Sequence, residues 1–448
     1  MDDVEGKGPE SLVGVSSWGI AAAGSARWTR RRHRRWTAST GGGSGRGQVT
    51  PSRRGLDPGG PSDSGRPARI VSRSRSGGAS GNARAVAAQL LDRIEGDGAF
   101  ANLVLASAKL PERDAGLITE LVYGVTRMRR ALDHLIDGFV SDPPDLTTRN
   151  LLRVGAYQLH MLDTPAYAAV SETVEAAPRR QRGFVNAVLR RVGEVEPAWP
   201  TEAVQLSYPD WMVARLEHDL GADDAHAALE QMNRPAEVSA RPDGYVQDRA
   251  SQWVAELVDP QPGERVLDMC AGPGGKATAL AGKSATLVAA DYRRHRASLV
   301  AANAAKTGAS LAGVVAANGL RSPFRPGSFD RVLVDAPCSG LGVLGRRADA
   351  RWRVEPDDVE ELARLQAELV GAAFDLVCPG GMVIYSVCTM TRPETVAIDE
   401  FVAQEHPDVV AAPIDDHRWR PHGRGALVLP QDHSTDGMFA VIYKTPDG

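Results

Sequence analysis

Residues 265–276 read RVLDMCAGPGGK, and the chain continues as ATALAG. A short apolar run, a turn holding three glycines and an alanine-rich segment make a strand, a tight turn and a helix. In open α/β sheets that succession lays a nucleotide-like ligand over the turn. Spacing separates the alternatives. A phosphate-binding loop needs Gly, four residues, then Gly-Lys-Ser/Thr, but position 270 is Cys and position 277 is Ala. A dinucleotide G-x-G-x-x-G fails as well, because Lys276 and Ala277 follow Gly275. Gly272, Gly274 and Gly275 permit close approach of backbone to ligand, while nothing is arranged for a pyrophosphate. S-adenosylmethionine, which carries no phosphate, suits such a turn. Cys270, Ala271, Gly272, Pro273, Gly274, Gly275 and Lys276 are the residues placed to hold it.

Downstream, short apolar strands at 286–290, 313–317, 331–334 and 382–387 alternate with alanine-rich helices, the signature of a doubly wound α/β sheet over residues 251–448. Two further strands, 426–429 and 439–443, suggest a β-hairpin at one edge. Asp291 ends the second strand, where an acid accepts both ribose hydroxyls; its other reading is a helix cap. Asn318 ends the third strand, within reach of an adenine edge.

The fourth strand delivers Asp335-Ala-Pro-Cys338 and the fifth delivers Tyr385-Ser-Val-Cys388-Thr389, both at carboxyl ends, where such sheets bind ligands. An isolated cysteine is usually an inert small hydrophobe, the reading that fits Cys378 and largely Cys270. Cys338 and Cys388 are different because both open onto the methyl donor. Carbon 5 of a pyrimidine is a poor nucleophile until something adds covalently at carbon 6, and a thiolate is the natural group to do so.

Upstream, residues 84–195 carry helical apolar spacing and predict five to seven helices, the last of them rich in arginine (RRQRGFVNAVLRRV). Residues 196–250 read as a Pro-punctuated connector with one helix at 211–220. Residues 1–83 hold 14 Lys and Arg against 6 acids, leaving 38 against 50 for the rest, so a basic tail precedes an acidic body. The tail's Gly, Ser, Pro and Arg run cannot bury enough surface to offset its ordering entropy, and disorder is expected there. Four cysteines with no C-x-x-C pair argue for reduced thiols in a cytoplasmic protein without structural zinc. No apolar run approaches membrane-spanning length.

DMCAGPGGK, DAPCSGLG, YSVCTMTRPET and LPQDHSTDGMF together resemble the RsmB/Sun (NOP/SUN) family of RNA cytosine-5 methyltransferases. ANLVL, ELVYGVTR and AVSETVEAAPRRQRGFVNAVLRRV resemble the NusB-like RNA-binding domain that precedes the catalytic domain in the bacterial 16S rRNA enzyme. The resemblance implies a Rossmann-like class I methyltransferase domain behind an all-α NusB-like domain. It also implies Cys388 as the nucleophile at carbon 6, Cys338 as the residue that helps release product, and Asp335 as a hydrogen-bond partner of the cytosine. The implied donor is S-adenosylmethionine and the implied substrate 16S rRNA. A tRNA, or a non-catalytic role in assembly or antitermination, are the alternatives. A monomer with no metal and no membrane attachment is expected. Two departures stand out: Asn318 replaces the family's third-strand acid, and the family's RNA-binding subdomain between connector and cofactor strand is shortened here. The basic loop Arg346, Arg347, Arg351, Trp352 and Arg353 is either an RNA contact or a solvated loop anchored by its tryptophan.

Overall fold

The computed structural model describes residues 82–281 and 286–448; the tail expected over residues 1–83 lies outside them except for its last two positions. Seven helices follow: α1 (Ala83–Glu95), α2 (Ala101–Ser107), α3 (Ala115–Arg127), α4 (Arg129–Asp137), α5 (Leu146–His160), α6 (Ala166–Ala176) and α7 (Arg182–Glu194). Asn82 caps α1 and Asp145 caps α5, each accepting a backbone N–H of the first turn. Helix α5 is the axis of this domain, with ten buried residues, and two glycine contacts bring its neighbours close. A Cβ on Gly155 would stand 2.5 Å from Leu189 of α7, and one on Gly124 of α3 would stand 2.1 Å from Tyr157.

The expected connector is no linker. Helices α8 (Glu202–Gln205), α9 (Asp210–Leu220) and α10 (Ala222–Gln231) send Tyr208, Met212, Leu216 and Leu229 into the same apolar cluster as Val332 and Tyr385 of the sheet. Gly221, at φ 85°, breaks α9 from α10.

Helix α11 (Arg249–Val258) leads into β1 (Arg265–Asp268), α12 (Gly275–Leu280), β2 (Thr286–Asp291), α13 (Arg294–Thr307), β3 (Gly313–Ala316) and β4 (Phe329–Asp335). Then come α14 (Pro356–Leu376), β5 (Val377–Val387), α15 (Val396–Glu405), β6 (Val410–Ala412), β7 (Arg420–His422), β8 (Gly425–Val428), α16 (Pro430–His433) and β9 (Met438–Lys444). The strand order is β3-β2-β1-β4-β5-β9-β8-β7, with β6 also on β9. β1 to β5 are parallel, and β9 runs antiparallel between β5 and β8. The expected hairpin of β8 and β9 is present, but β9 lies inside the sheet and β7, absent from the sequence reading, forms the edge. After β1 the chain winds towards β3 and then returns to β4 on β1's other side. That reversal opens a crevice beyond the carboxyl ends of β1 and β4.

The loop between β4 and α14 joins the two domains. Arg351 is 0% exposed, and its guanidinium donates to Arg127 O, Ser207 O, Asn233 Oδ1 and the Tyr208 hydroxyl. Trp352 Nε1 donates to Thr126 O at 2.7 Å, with the Arg129 guanidinium over its ring. Arg353 donates to Gly98 O and Ala99 O and lies over Phe100. Arg351→Ala would strand buried carbonyls whose charged hydrogen bonds are worth about 1.5–3 kcal/mol each. It should lower stability by roughly 3 kcal/mol in urea titration, and the less deeply buried Arg353→Ala by less. Equal midpoints for wild type and Arg351→Ala would show that the seam carries no stability.

Candidate active site

β1 ends in Asp268, whose neighbours draw the glycine turn back onto the sheet: Met269 N donates to Leu333 O and Ala271 N to Ala290 O. The turn then needs glycine at two points. A Cβ on Gly272 would stand 2.5 Å from Asp291 Oδ2, and Gly274, at φ 111°, passes Val300 too closely for a side chain. Asp291 uses both carboxylate oxygens on its own chain. Its Oδ1 accepts from Arg293 N at 2.8 Å, as a cap would, while Oδ2 accepts from Gly272 N and Arg296 Nε at the crevice. Asn318 is exposed and its Oδ1 accepts from Leu320 N.

Asp268 is 1% exposed, and among the described residues no side chain hydrogen-bonds either carboxylate oxygen. Burial, then the charge of Asp335, pushes it up to about 8. Asp268, Asp291 and Asp335 thus surround a crevice whose nearby cations are Lys276 and Arg296. Asp291 and Asp335 are each paired with one of these cations and Asp268 keeps its proton, so the acids add hydrogen-bonding groups rather than net charge to the crevice. S-adenosylmethionine, with its sulfonium, ammonium and ribose hydroxyls, fits this donor set. Cys270 beside it is pushed far up by burial and by Asp268, which keeps it a neutral thiol.

β4 and β5 pair with Asp335 opposite Ser386, and Ser386 Oγ donates to Asp335 Oδ1 at 2.9 Å. Lys276 Nζ donates to Asp335 Oδ2 at 2.8 Å. Burial alone would drag this ammonium down, but Asp335 holds it above its usual value. The loops leaving the two strands bring Cys338 Sγ to 3.2 Å from Cys388 Sγ. Cys388 is held below the usual thiol range by the hydrogen bond from Cys338, against burial and with help from Arg347 and Lys276. Cys338 is driven well above it by the same bond and by burial. The two shifts run in opposite directions, so Cys388 is the more acidic thiol of the pair.

The basic loop does not behave as one patch. Arg351 is buried and Arg353 is tied to the helical domain, so neither is presented to RNA. Arg346 is clamped by Asp248 and Asp436. Alone of the four, Arg347 has a side chain that makes no hydrogen bond or ion pair among the described residues, and it stands near enough to Cys388 to favour its charge. Sequence reading missed Glu394, a buried acid behind both cysteines, because one acid in a Thr- and Pro-rich turn has no periodic signal.

The crevice, its carboxylate ring and its winding are those of an S-adenosylmethionine-dependent methyltransferase. Residues 255–444 match the family described as 16S rRNA methyltransferase RsmB/F, and residues 81–194 match the NusB family. The ribosomal RNA small subunit methyltransferase B of Thermus thermophilus is 34% identical over 369 residues, covering 75% of this chain and 90% of its own. The protein of that name from Salmonella paratyphi B is 31% identical over 423 residues, covering 80% and 97%. The chain belongs to the RsmB/F family. The crystal structure of PH0851 superposes with a TM-score of 0.66 at 22% identity, over 81% of this chain and 98% of that one, a likeness of fold. A Mycobacterium tuberculosis methyltransferase aligns over 443 residues at 36% identity, yet that alignment covers 81% of this chain and 96% of the relative. The relative therefore has stretches with no counterpart here. The short connector of this chain is closed by an Ala240–Val246 bridge, with Arg241 donating to Gly275 O and Thr278 Oγ1.

Asp268 keeps its proton in the fold up to about pH 8, but releases it at the ordinary value of 3.8 once unfolded. The folded state binds the extra proton between those values. The group's stabilising contribution is full below its unfolded value and is lost as pH rises through its folded one. Asp268→Asn should remove this dependence. Its stability relative to wild type should rise steadily from acid to mildly alkaline pH in urea titrations, and parallel pH profiles would refute the assignment.

Proposed function

We propose that this enzyme methylates carbon 5 of a cytosine in RNA, with 16S rRNA as substrate, through a covalent adduct of Cys388. The observation that carries this reading is the Cys338–Cys388 pair at 3.2 Å, beside the Lys276–Asp335 ion pair at the mouth of the crevice. S-adenosylmethionine, when bound over the turn from Cys270 to Lys276 and at Asp291 and Asn318, supplies the methyl group. The chain's own residues do the rest. The Cys388 thiolate adds to carbon 6, making an S–C6 bond and pushing electron density to carbon 5. Asp335, fixed by Lys276 and Ser386, accepts a hydrogen bond from the cytosine amine and orients the ring. After methylation the carbon 5 proton leaves to water and the S–C6 bond breaks, with Cys338 donating its S–H to the departing sulfur. The base must be unpaired or flipped to reach this crevice. Arg347 is the residue of the basic loop that meets the RNA. The 16S rRNA assignment rests on the relatives named as small subunit methyltransferases.

Cys388→Ser should abolish methylation and form no adduct, whereas Cys338→Ala should add to carbon 6 and stall. The stalled conjugate of protein and RNA should survive denaturing electrophoresis when donor is present. Full turnover in both variants would end the covalent reading, and a conjugate from Cys388→Ser would reverse the roles. Bisulfite sequencing of rRNA and tRNA from cells with and without the gene decides the substrate.

Arg347→Ala should weaken RNA binding and lower its salt dependence by about one counterion. In the same filter-binding titration Arg353→Ala should leave the slope alone, since that side chain faces the helical domain.

A further inference from the structure

One carboxylate beside the reaction centre has no part in the steps above. Glu394 follows β5 and is 0% exposed. Its Oε1 accepts from Ser339 N at 2.8 Å and Gln366 Nε2 at 3.1 Å. Its Oε2 accepts from Ser339 Oγ at 2.5 Å, Thr389 Oγ1 at 3.0 Å and Thr391 Oγ1 at 2.8 Å. No arginine or lysine pairs with it among the described residues.

The donors are distributed in a telling way. Ser339 follows Cys338, and Thr389 follows Cys388, so one carboxylate grips both cysteine loops immediately beside their sulfurs. Gln366 extends the grip by donating to Pro337 O, on the other side of Cys338. Tyr385 OH lies 3.0 Å from Gln366 Oε1 and 2.7 Å from Glu394 O, tying the cluster to β5 itself. Burying a carboxylate without a cation is costly, and apolar packing would serve stability as well. A fully satisfied polar cluster offers what apolar packing does not, a single geometry. The charge is also on the side that suits it, since it helps keep the Cys338 thiol protonated.

We propose that Glu394 is a positioning residue that sets the separation and orientation of Cys338 and Cys388 by holding Ser339 and Thr389 on one carboxylate. The proposal deepens the covalent reading and rests on it for its effect on turnover, but the geometry can be tested without RNA.

Diamide takes two electrons and two protons from a pair of thiols, which become a disulfide while it becomes the hydrazine. Its rate of closing Cys338 onto Cys388 in the full-length protein, followed by mass spectrometry, reports the sulfur-to-sulfur geometry. Glu394→Gln should fold, because the serine and threonine hydroxyls can rotate to accept from the new amide. It should close the disulfide about tenfold more slowly and lower kcat on the order of 100-fold, as a misplacement of about 1 Å does. KM for RNA and affinity for S-adenosylhomocysteine should stay near wild type. Thr389→Val, which loses one donor at constant volume, should move both rates in the same direction by less, and serves if Glu394→Gln does not fold. A wild-type disulfide rate in the folded variants overturns the proposal, as does a wild-type kcat alongside a slowed disulfide. If wild type forms no adduct and no 5-methylcytosine, the covalent reading falls, while the diamide comparison still judges Glu394's hold on the two loops.

Discussion

The parallel pairing of β4 with β5 is the constraint on which the chemistry depends. Because the strands run the same way, both loops leave the same edge of the sheet, and the register that sets Asp335 against Ser386 leaves the two cysteines within contact. An antiparallel pair would deliver them to opposite ends, and a slip of one residue would turn alternate side chains to the other face. The register is enforced by burial on both sides, since Val332, Leu333 and Val334 of β4 and Val383, Ile384 and Tyr385 of β5 are all at 0% exposure. Parallel strands require a crossover, and here it is α14 with the loop before it. That is why the loop following Cys338 is long enough to reach the helical domain.

The crevice then has to hold opposite charges without collapsing them. Asp335 carries a charge at the crevice, and the thiolate proposed for Cys388 would add a second one nearby. Lys276 reconciles the two by bonding Asp335 while its field reaches Cys388. The hydrogen bond between the cysteines does the remainder, lowering Cys388 and raising Cys338. Asp268, with no counter-ion of its own, responds by retaining its proton.

Much of this was readable from residues alone. The central strands announce themselves because parallel strands buried on both faces are unbroken apolar runs, and the glycine turn because its spacing excludes phosphate binding. β6 and β7 were missed since three residues each make no pattern and β7 contains Pro421, and α10 because alanines and acids such as Asp223 and Asp224 look like a solvated linker. Arginine misleads most. Arg351 sits in a polar run that reads as solvent-facing, and only acceptors far away along the chain, the carbonyls of Arg127 and Ser207 and the side chains of Asn233 and Tyr208, let it be buried. Arg346 likewise meets Asp248 and Asp436, 98 and 90 residues away along the chain.

The acceptors across the domain seam are mostly main-chain oxygens: Gly98, Ala99, Thr126 and Arg127 on the helical side are recognised by their carbonyls. Every residue type carries that group. Apart from Arg129 and Phe100, whose side chains stack on Trp352 and Arg353, the helical domain is therefore free to change its side chains at these acceptors over evolutionary time without loosening its attachment. The burden of constancy falls on the other bank, on Arg351, Trp352 and Arg353, where a side chain must be kept. Divergence between descendants of this protein should accordingly be lopsided across the seam, rapid where backbone is read and slow where side chains do the reading.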